Sequence, residues 1–156
     1  MQIAKFLRKE ALTNDLKATT KTEVIQEMVE LLVDAGGIDK KHKNKVVEVL
    51  MAREALGSTA IGQGIAIPHG KSDSTDQLIA ALAISKKGVN FDSLDGEPAH
   101  IFFLLIAPID SAGPHLKALA RVSRLLKDKF FRDSLKNTNT PKEMLELISR
   151  EDVRVN

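Results

Sequence analysis

The sequence predicts an α/β fold, a single-domain sandwich spanning residues 1–156 in which a mixed β-sheet is flanked by helices. Three observations predict it. Leu78 to Ile84 and Ile101 to Ile106 are apolar throughout, as central strands covered on both faces should be. Val24, Ile25, Met28, Leu31 and Leu32 recur at helical spacing, and a second helical region follows Pro108. A shorter apolar triplet, Ile65-Ala66-Ile67, lies between helix and strand signals, so the two kinds of element interleave along the chain.

Composition fits one ordinary domain. A chain of 156 residues buries roughly two thirds of its unfolded surface. Hydrophobic residues make up 43% and charged residues 28%, a globular balance. Cysteine is absent, which excludes disulfides, a thiol nucleophile and a thiolate zinc site. The net charge is only +2, acidic and basic residues alternate, and there is no tyrosine or tryptophan to stack on bases. These features argue against a nucleic-acid partner. The opening MQIAKFLRKEAL lacks a signal-peptide core, and no run approaches the roughly 20 apolar residues that span a bilayer. A soluble cytoplasmic protein is expected.

Taken in order, Ile3, Phe6 and Leu7 fit one helical turn, and Leu12 to Leu16 the start of a strand. Thr20 and Glu23 form a capping-box pattern ahead of the first helix, which Gly36-Gly37 ends. Asp39 caps a second helix whose apolar positions are Val46, Val47, Leu50 and Leu56, ending at Gly57. Lys71 to Gln77 is polar and reads as a loop before the strand Leu78 to Ile84; Gly88 turns the chain, and Asp95-Gly96 marks another turn. After Ala107-Pro108 and a polar loop, His115 opens a helix with Leu116, Leu119, Ala120, Ser123 and Leu126 along one face. Phe130, Phe131 and Leu135 continue the pattern after a break near Asp128. Thr140-Pro141-Lys142-Glu143 starts the last helix with a cap, a first-turn proline and a returning glutamate. Glu151 to Asn156 is expected to fray.

The stretch Arg53 to Gly70, REALGSTAIGQGIAIPHG, is built to present one imidazole. Neutral histidine is nucleophilic near neutral pH and can carry a phosphoryl group. Pro68 restricts the backbone on one side of His69, and Gly70 offers no side chain to cover the ring. Arg53, at the end of the second helix, is either a phosphate contact, for which its planar fork is suited, or a surface arginine at a helix C-terminus. Ser58 and Thr59 either bond phosphate oxygens or cap the turn. The amides around Gly62 and Gly64 are weaker candidates for facing an anion. His115, at a loop-to-helix junction, is either placed to assist a neighbouring histidine or is an exposed residue at a helix N-terminus.

This stretch resembles the phosphorylation site of the type 2 enzyme IIA domains of the bacterial phosphoenolpyruvate-dependent phosphotransferase system, the fructose, mannitol and nitrogen-regulatory class. The family pattern is an acidic or amide residue, an apolar-small pair, then apolar-Ala-apolar-Pro-His-small. Glu54, Ile61-Gly62 and Ile65-Ala66-Ile67-Pro68-His69-Gly70 fill it in order. The resemblance continues through Phe91 to Pro98, Ala107-Pro108 and His115-Leu116.

The resemblance implies that His69 is the phosphoryl carrier, with Arg53 and His115 beside it. It implies a phosphotransferase needing no metal, nucleotide or other cofactor. The donor would be the phosphocarrier HPr. The acceptor would be a IIB component, usually through a cysteine, and the lack of cysteine here puts that IIB on a separate chain coupled to a membrane IIC. The fructose or mannitol sugar-uptake role is the expected one. The alternative is a nitrogen-regulatory protein whose phosphorylation state controls its targets. A metal site built from His69, His100 and His115 lacks any short ligand spacing and is disfavoured.

Overall fold

In a computed structural model, which describes residues 2–154, the sheet is organised around β6, Ala99–Ala107. Antiparallel β5, Ile79–Val89, lies on one side of it, and parallel β1, Leu7–Thr13, lies beyond β5. On the other side β6 pairs in parallel with β3, Ile65–Ala66, and with β4, His69–Lys71. The antiparallel β2, Ala60–Gly62, closes that edge. The sheet is therefore mixed, as expected.

Both faces of the central strands are covered, which is why their sequences do not alternate with polar residues. Phe102, Leu104 and Ile106 of β6 join Ala81 and Ala83 of β5 under α1, Lys21–Asp34, and α2, Lys43–Ala55. Ile101, Phe103 and Leu105 join Leu82 and Ile84 under α3, Ala112–Leu126, and α5, Pro141–Arg154. The short α4, Lys129–Lys136, adds Phe131 and Leu135 to that second layer.

The expected caps are present. The Thr20 hydroxyl accepts from the Glu23 amide at 3.3 Å, and Thr140 accepts from the Glu143 amide at 3.1 Å. Asp39 bonds the Lys41 amide, capping a short 3-10 turn, Lys40–His42, that leads into α2.

Several boundaries differ from the sequence reading. The N-terminal turn is 3-10, Ile3–Lys5, and the strand begins at Leu7 rather than near Leu12. Gly88, at φ +84, bulges inside β5 without ending it, because the strand recovers register with β6 at Val89. Leu56 faces solvent, and Glu54 takes its place on the buried side of α2. On α3 the buried stripe is His115, Ala118, Val122 and Leu125, whereas Leu116 and Ala120 face outward. Of the expected face, Leu126 is buried and Leu119 packs against the same core, while the fold buries the polar His115 in place of Leu116. Phe130 is likewise exposed while Phe131 is buried.

The C-terminal helix does not fray at Glu151. Asp152 is buried, accepts from the Ile3 amide at 2.6 Å, and pairs with the Arg121 Nε at 2.6 Å. These bonds tie α5 to α3 and to the N-terminal turn. Residues 155 and 156 lie outside the described residues.

Candidate functional site

His69 is delivered by the sheet. Ile65 to Lys71 runs alongside β6 as two strands, with the interruption at Ile67-Pro68, where proline has no amide to donate. The Pro68 carbonyl still accepts from the Leu105 amide at 2.9 Å, so the register holds through the break. His69 pairs with Leu105, whose side chain lies in the α3 layer, and parallel partners share a face. The imidazole therefore points toward α3. Gly70 points the other way, toward α2: a Cβ there would lie 2.8 Å from Cγ1 of Val49. The absent side chain at Gly70 thus answers the approach of α2 and not the exposure of the imidazole, because a side chain there would lie on the opposite face of the strand.

The nearest ring on that face is His115. The two imidazoles meet edge to face, with centroids 5.5 Å apart and planes at 73°. His115 is buried, and its Nε2 has no hydrogen-bond partner. His69 is half-buried, and its Nδ1 lies 2.7 Å from the Ile67 carbonyl oxygen. A carbonyl only accepts, so Nδ1 carries the proton and Nε2 keeps its lone pair. This bond selects the nitrogen that can act as nucleophile.

Burial holds His69 below the ordinary histidine range, and the Arg53 charge pushes the same way against the Ile67 bond and the Glu54 charge. His115 is also lowered, first by burial and then by His69 and by the Lys71 charge. Both rings are thus kept neutral near neutral pH. Arg53 Nη1 donates to the Gly57 carbonyl at 2.8 Å, which bends the guanidinium back over the turn after α2. Two expected residues, His69 and His115, are brought into contact, and the charge of the third, Arg53, reaches His69.

Ser58 and Thr59 are engaged elsewhere. The Ser58 hydroxyl donates to the Phe91 carbonyl at 2.5 Å, and the Thr59 hydroxyl donates to the Glu54 carboxylate. Both fasten the loop that leads to β2. Gln63, at φ +59, and Gly64, at φ +80, form the tight turn between β2 and β3. The anion met there is internal, for the Gln63 amide donates to Asp95 at 2.9 Å. His100 places Nδ1 2.9 Å from the Ser85 carbonyl, and among the described residues no three His, Asp or Glu side chains gather as a ligand set.

One further residue of this face, Lys71, falls where the sequence predicts the start of a loop. Lys71 lies on β4 two positions beyond His69, so it shares that face, and its charge reaches His115. Three residues after a proline are too few to show strand alternation, so no local pattern marks it.

Residues 5–151 match the family described as phosphoenolpyruvate-dependent sugar phosphotransferase system, EIIA 2. The chain belongs to that family. Among relatives of this EIIA 2 chain, a nitrogen regulatory protein of Bradyrhizobium diazoefficiens is 40% identical over 83% of the chain and 82% of its own length. The fructose-specific EIIABC component of Bacillus subtilis is 36% identical over 97% of the chain, which spans only 24% of that longer protein. Among solved structures, the nitrogen regulatory protein IIA-Ntr of Neisseria meningitidis superposes with a TM-score of 0.84 at 30% identity, covering 94% of this chain and 98% of its own. The mannitol IIA of Escherichia coli, in complex with phosphorylated mannitol IIB, superposes at 0.75 with 25% identity, covering 90% and 95%. The family consists of phosphoryl carriers, and both sugar-specific and nitrogen-regulatory relatives lie close to this EIIA 2 domain. No helix among the described residues is long and apolar enough to cross a membrane.

Proposed function

We propose that this chain is a phosphoryl carrier that accepts a phosphoryl group on Nε2 of His69 from a phosphohistidine donor, HPr or a close counterpart. The observation that carries the reading is the 2.7 Å bond from Nδ1 to the Ile67 carbonyl, which leaves Nε2 unprotonated on a ring that meets His115 and feels the Arg53 charge. In the transfer, the donor's P–N bond breaks as the Nε2 lone pair forms a new one. The electron pair of the broken bond returns to the donor ring, which regains neutrality. The proton stays on Nδ1, donated to the Ile67 carbonyl throughout, and that bond strengthens as positive charge develops on the ring. Positioning and charge do the work, without metal or nucleotide.

Arg53 supplies the charge facing the phosphoryl oxygens, and the orphaned His115 Nε2, in its protonated tautomer, donates to one of them. Ser58 and Thr59 serve as holders of the loop, their hydroxyls being used inside it. The segments that carry Arg53, Thr59 and His115 each also expose a large apolar side chain: Leu56, Ile61 and Leu116. They supply an apolar rim for a transient protein partner.

Nitrogen regulatory relatives, at 40% identity and at a TM-score of 0.84, support a regulatory destination beside the sugar-uptake role expected from sequence. In that role the phosphorylation state itself is the signal to target proteins. The sugar-uptake reading, in which a separate IIB takes the group, retains the support of the fructose-specific relative. Either role places the protein in the cytoplasm with its donor.

Incubation with phosphoenolpyruvate, enzyme I and HPr, read by intact mass, tests the reading. Wild type gains one acid-labile phosphoryl group and His69→Ala gains none. Absence of gain by wild type, with HPr shown to be phosphorylated, overturns transfer from that donor. Adding a purified fructose-class IIB then separates the destinations: loss of the group to IIB supports uptake, and retention supports regulation.

A further inference from the structure

We propose that Lys21 is a positioning residue for the His69 imidazole, acting through the carboxylate of Glu54. Lys21 is far away in sequence, at the first turn of α1, and touches none of the reacting groups. Its Nζ lies 3.2 Å from Glu54 Oε1 and 3.0 Å from Asp92 Oδ2, and sits 4.9 Å from the centroid of the Phe91 ring. Its side chain is only 17% exposed and that of Glu54 2%.

From Glu54 a continuous path leads to the histidine. The Glu54 carboxylate accepts from the Thr59 amide at 3.2 Å and from the Thr59 hydroxyl. The Thr59 carbonyl accepts from the Ile67 amide at 3.0 Å. The Ile67 carbonyl then meets Nδ1 of His69 at 2.7 Å. The acceptor that selects the His69 tautomer is thus held by Thr59, Thr59 by Glu54, and Glu54 by Lys21. Asp92 and Phe91 brace the lysine from the loop that follows β5, where Ser58 also bonds the Phe91 carbonyl.

Stability alone accounts poorly for this arrangement. A cation at a helix N-terminus opposes the helix dipole. Burying an ion pair returns little net free energy over an apolar substitute, whereas removing one partner leaves the other stranded. Asp92 also holds a left-handed backbone, φ +57, that an ordinary residue adopts only with strain. What the cluster supplies is a fixed place for the Glu54 carboxylate, with both oxygens engaged.

The proposal depends on the phosphoryl-carrier reading for its rate measurement, but not for its tautomer measurement. The test compares wild type, Lys21→Met, Glu54→Gln and the double variant. Imidazole nitrogen NMR reads the His69 tautomer, and single-turnover transfer from phospho-HPr reads rate separately from donor affinity. Lys21→Met is expected to admit the Nε2–H tautomer and to slow transfer on the order of tenfold, the scale of a modest misplacement, with donor affinity unchanged. Glu54→Gln needs no cation, so adding Lys21→Met to it is expected to change neither the tautomer nor the rate further. That comparison stands even where Lys21→Met alone does not fold. An unchanged tautomer in a folded Lys21→Met, or a further loss in the double variant beyond Glu54→Gln, overturns the proposal. Failure of wild type to accept phosphate overturns the carrier reading and leaves the tautomer comparison intact.

Discussion

The rings of His69 and His115 meet edge to face 5.5 Å apart, although β5 and β6 intervene between them in the chain. One ring comes from the end of a sheet and the other from the first turn of a helix packed on it. Neither local sequence contains the pair. It arises because β4 aligns with Leu105 of β6 and because α3 turns His115, rather than Leu116, toward the sheet.

That proximity has a consequence for pH. Both histidines are held below the ordinary value of about 6.5, His69 mainly by burial and His115 mainly by burial with His69 next. The unfolded chain therefore binds more protons than the folded one as pH drops below that ordinary value. Their contribution to stability is fully present above it and is lost as pH falls through the folded values. Urea midpoints measured across this range should decline toward acid, and less steeply in a His69→Gln, His115→Gln double variant. Equal slopes would contradict the account.

Arg53 acts on His69 by charge, and its guanidinium is turned over the same loop. Arg53→Ala should slow phosphoryl transfer by about a hundredfold, the scale of losing one preorganised charged donor. It should also raise the His69 pKa, because a cation that opposes protonation is gone. Arg53→Lys should keep the pKa near wild type while recovering only part of the rate, since lysine lacks the planar fork. Transfer kinetics and an NMR titration of the same variants check both halves.

Gly70 stands against α2. Gly70→Ala would push a methyl group to 2.8 Å from Val49 Cγ1, so it should destabilise the fold by about 1–3 kcal/mol, the usual cost of overpacking. Pairing it with Val49→Ala should return part of that loss. Denaturant unfolding of the three variants measures it; full additivity would mean that the two side chains do not meet.

Much of this was legible in sequence because the signals were local. Long apolar runs marked β5 and β6, caps marked the helix starts, and the Ile65 to Gly70 motif marked the histidine. The residues that escaped were set by tertiary contacts. β4 has only three residues and a proline just before it, so no strand pattern announced that His69 and Lys71 would share a face. Leu56 and Leu116 fit core positions by spacing, yet the fold buries the polar Glu54 and His115 instead. Asp152 looked like part of a fraying end until its partners, Ile3 and Arg121, were brought to it from distant parts of the chain. The fastening of Thr59 to Glu54 and of Ser58 to Phe91 was equally invisible, since either hydroxyl was chemically fit to meet phosphate.

The central claim is that Nε2 of His69 carries the phosphoryl group while Nδ1 stays bonded to Ile67. Nitrogen-15 NMR of the imidazole-labelled protein, phosphorylated by phosphoenolpyruvate, enzyme I and HPr, tests it through phosphorus–nitrogen coupling. The account predicts coupling to Nε2 of His69 and a retained proton on Nδ1. Coupling to Nδ1, or to any other residue, would contradict it.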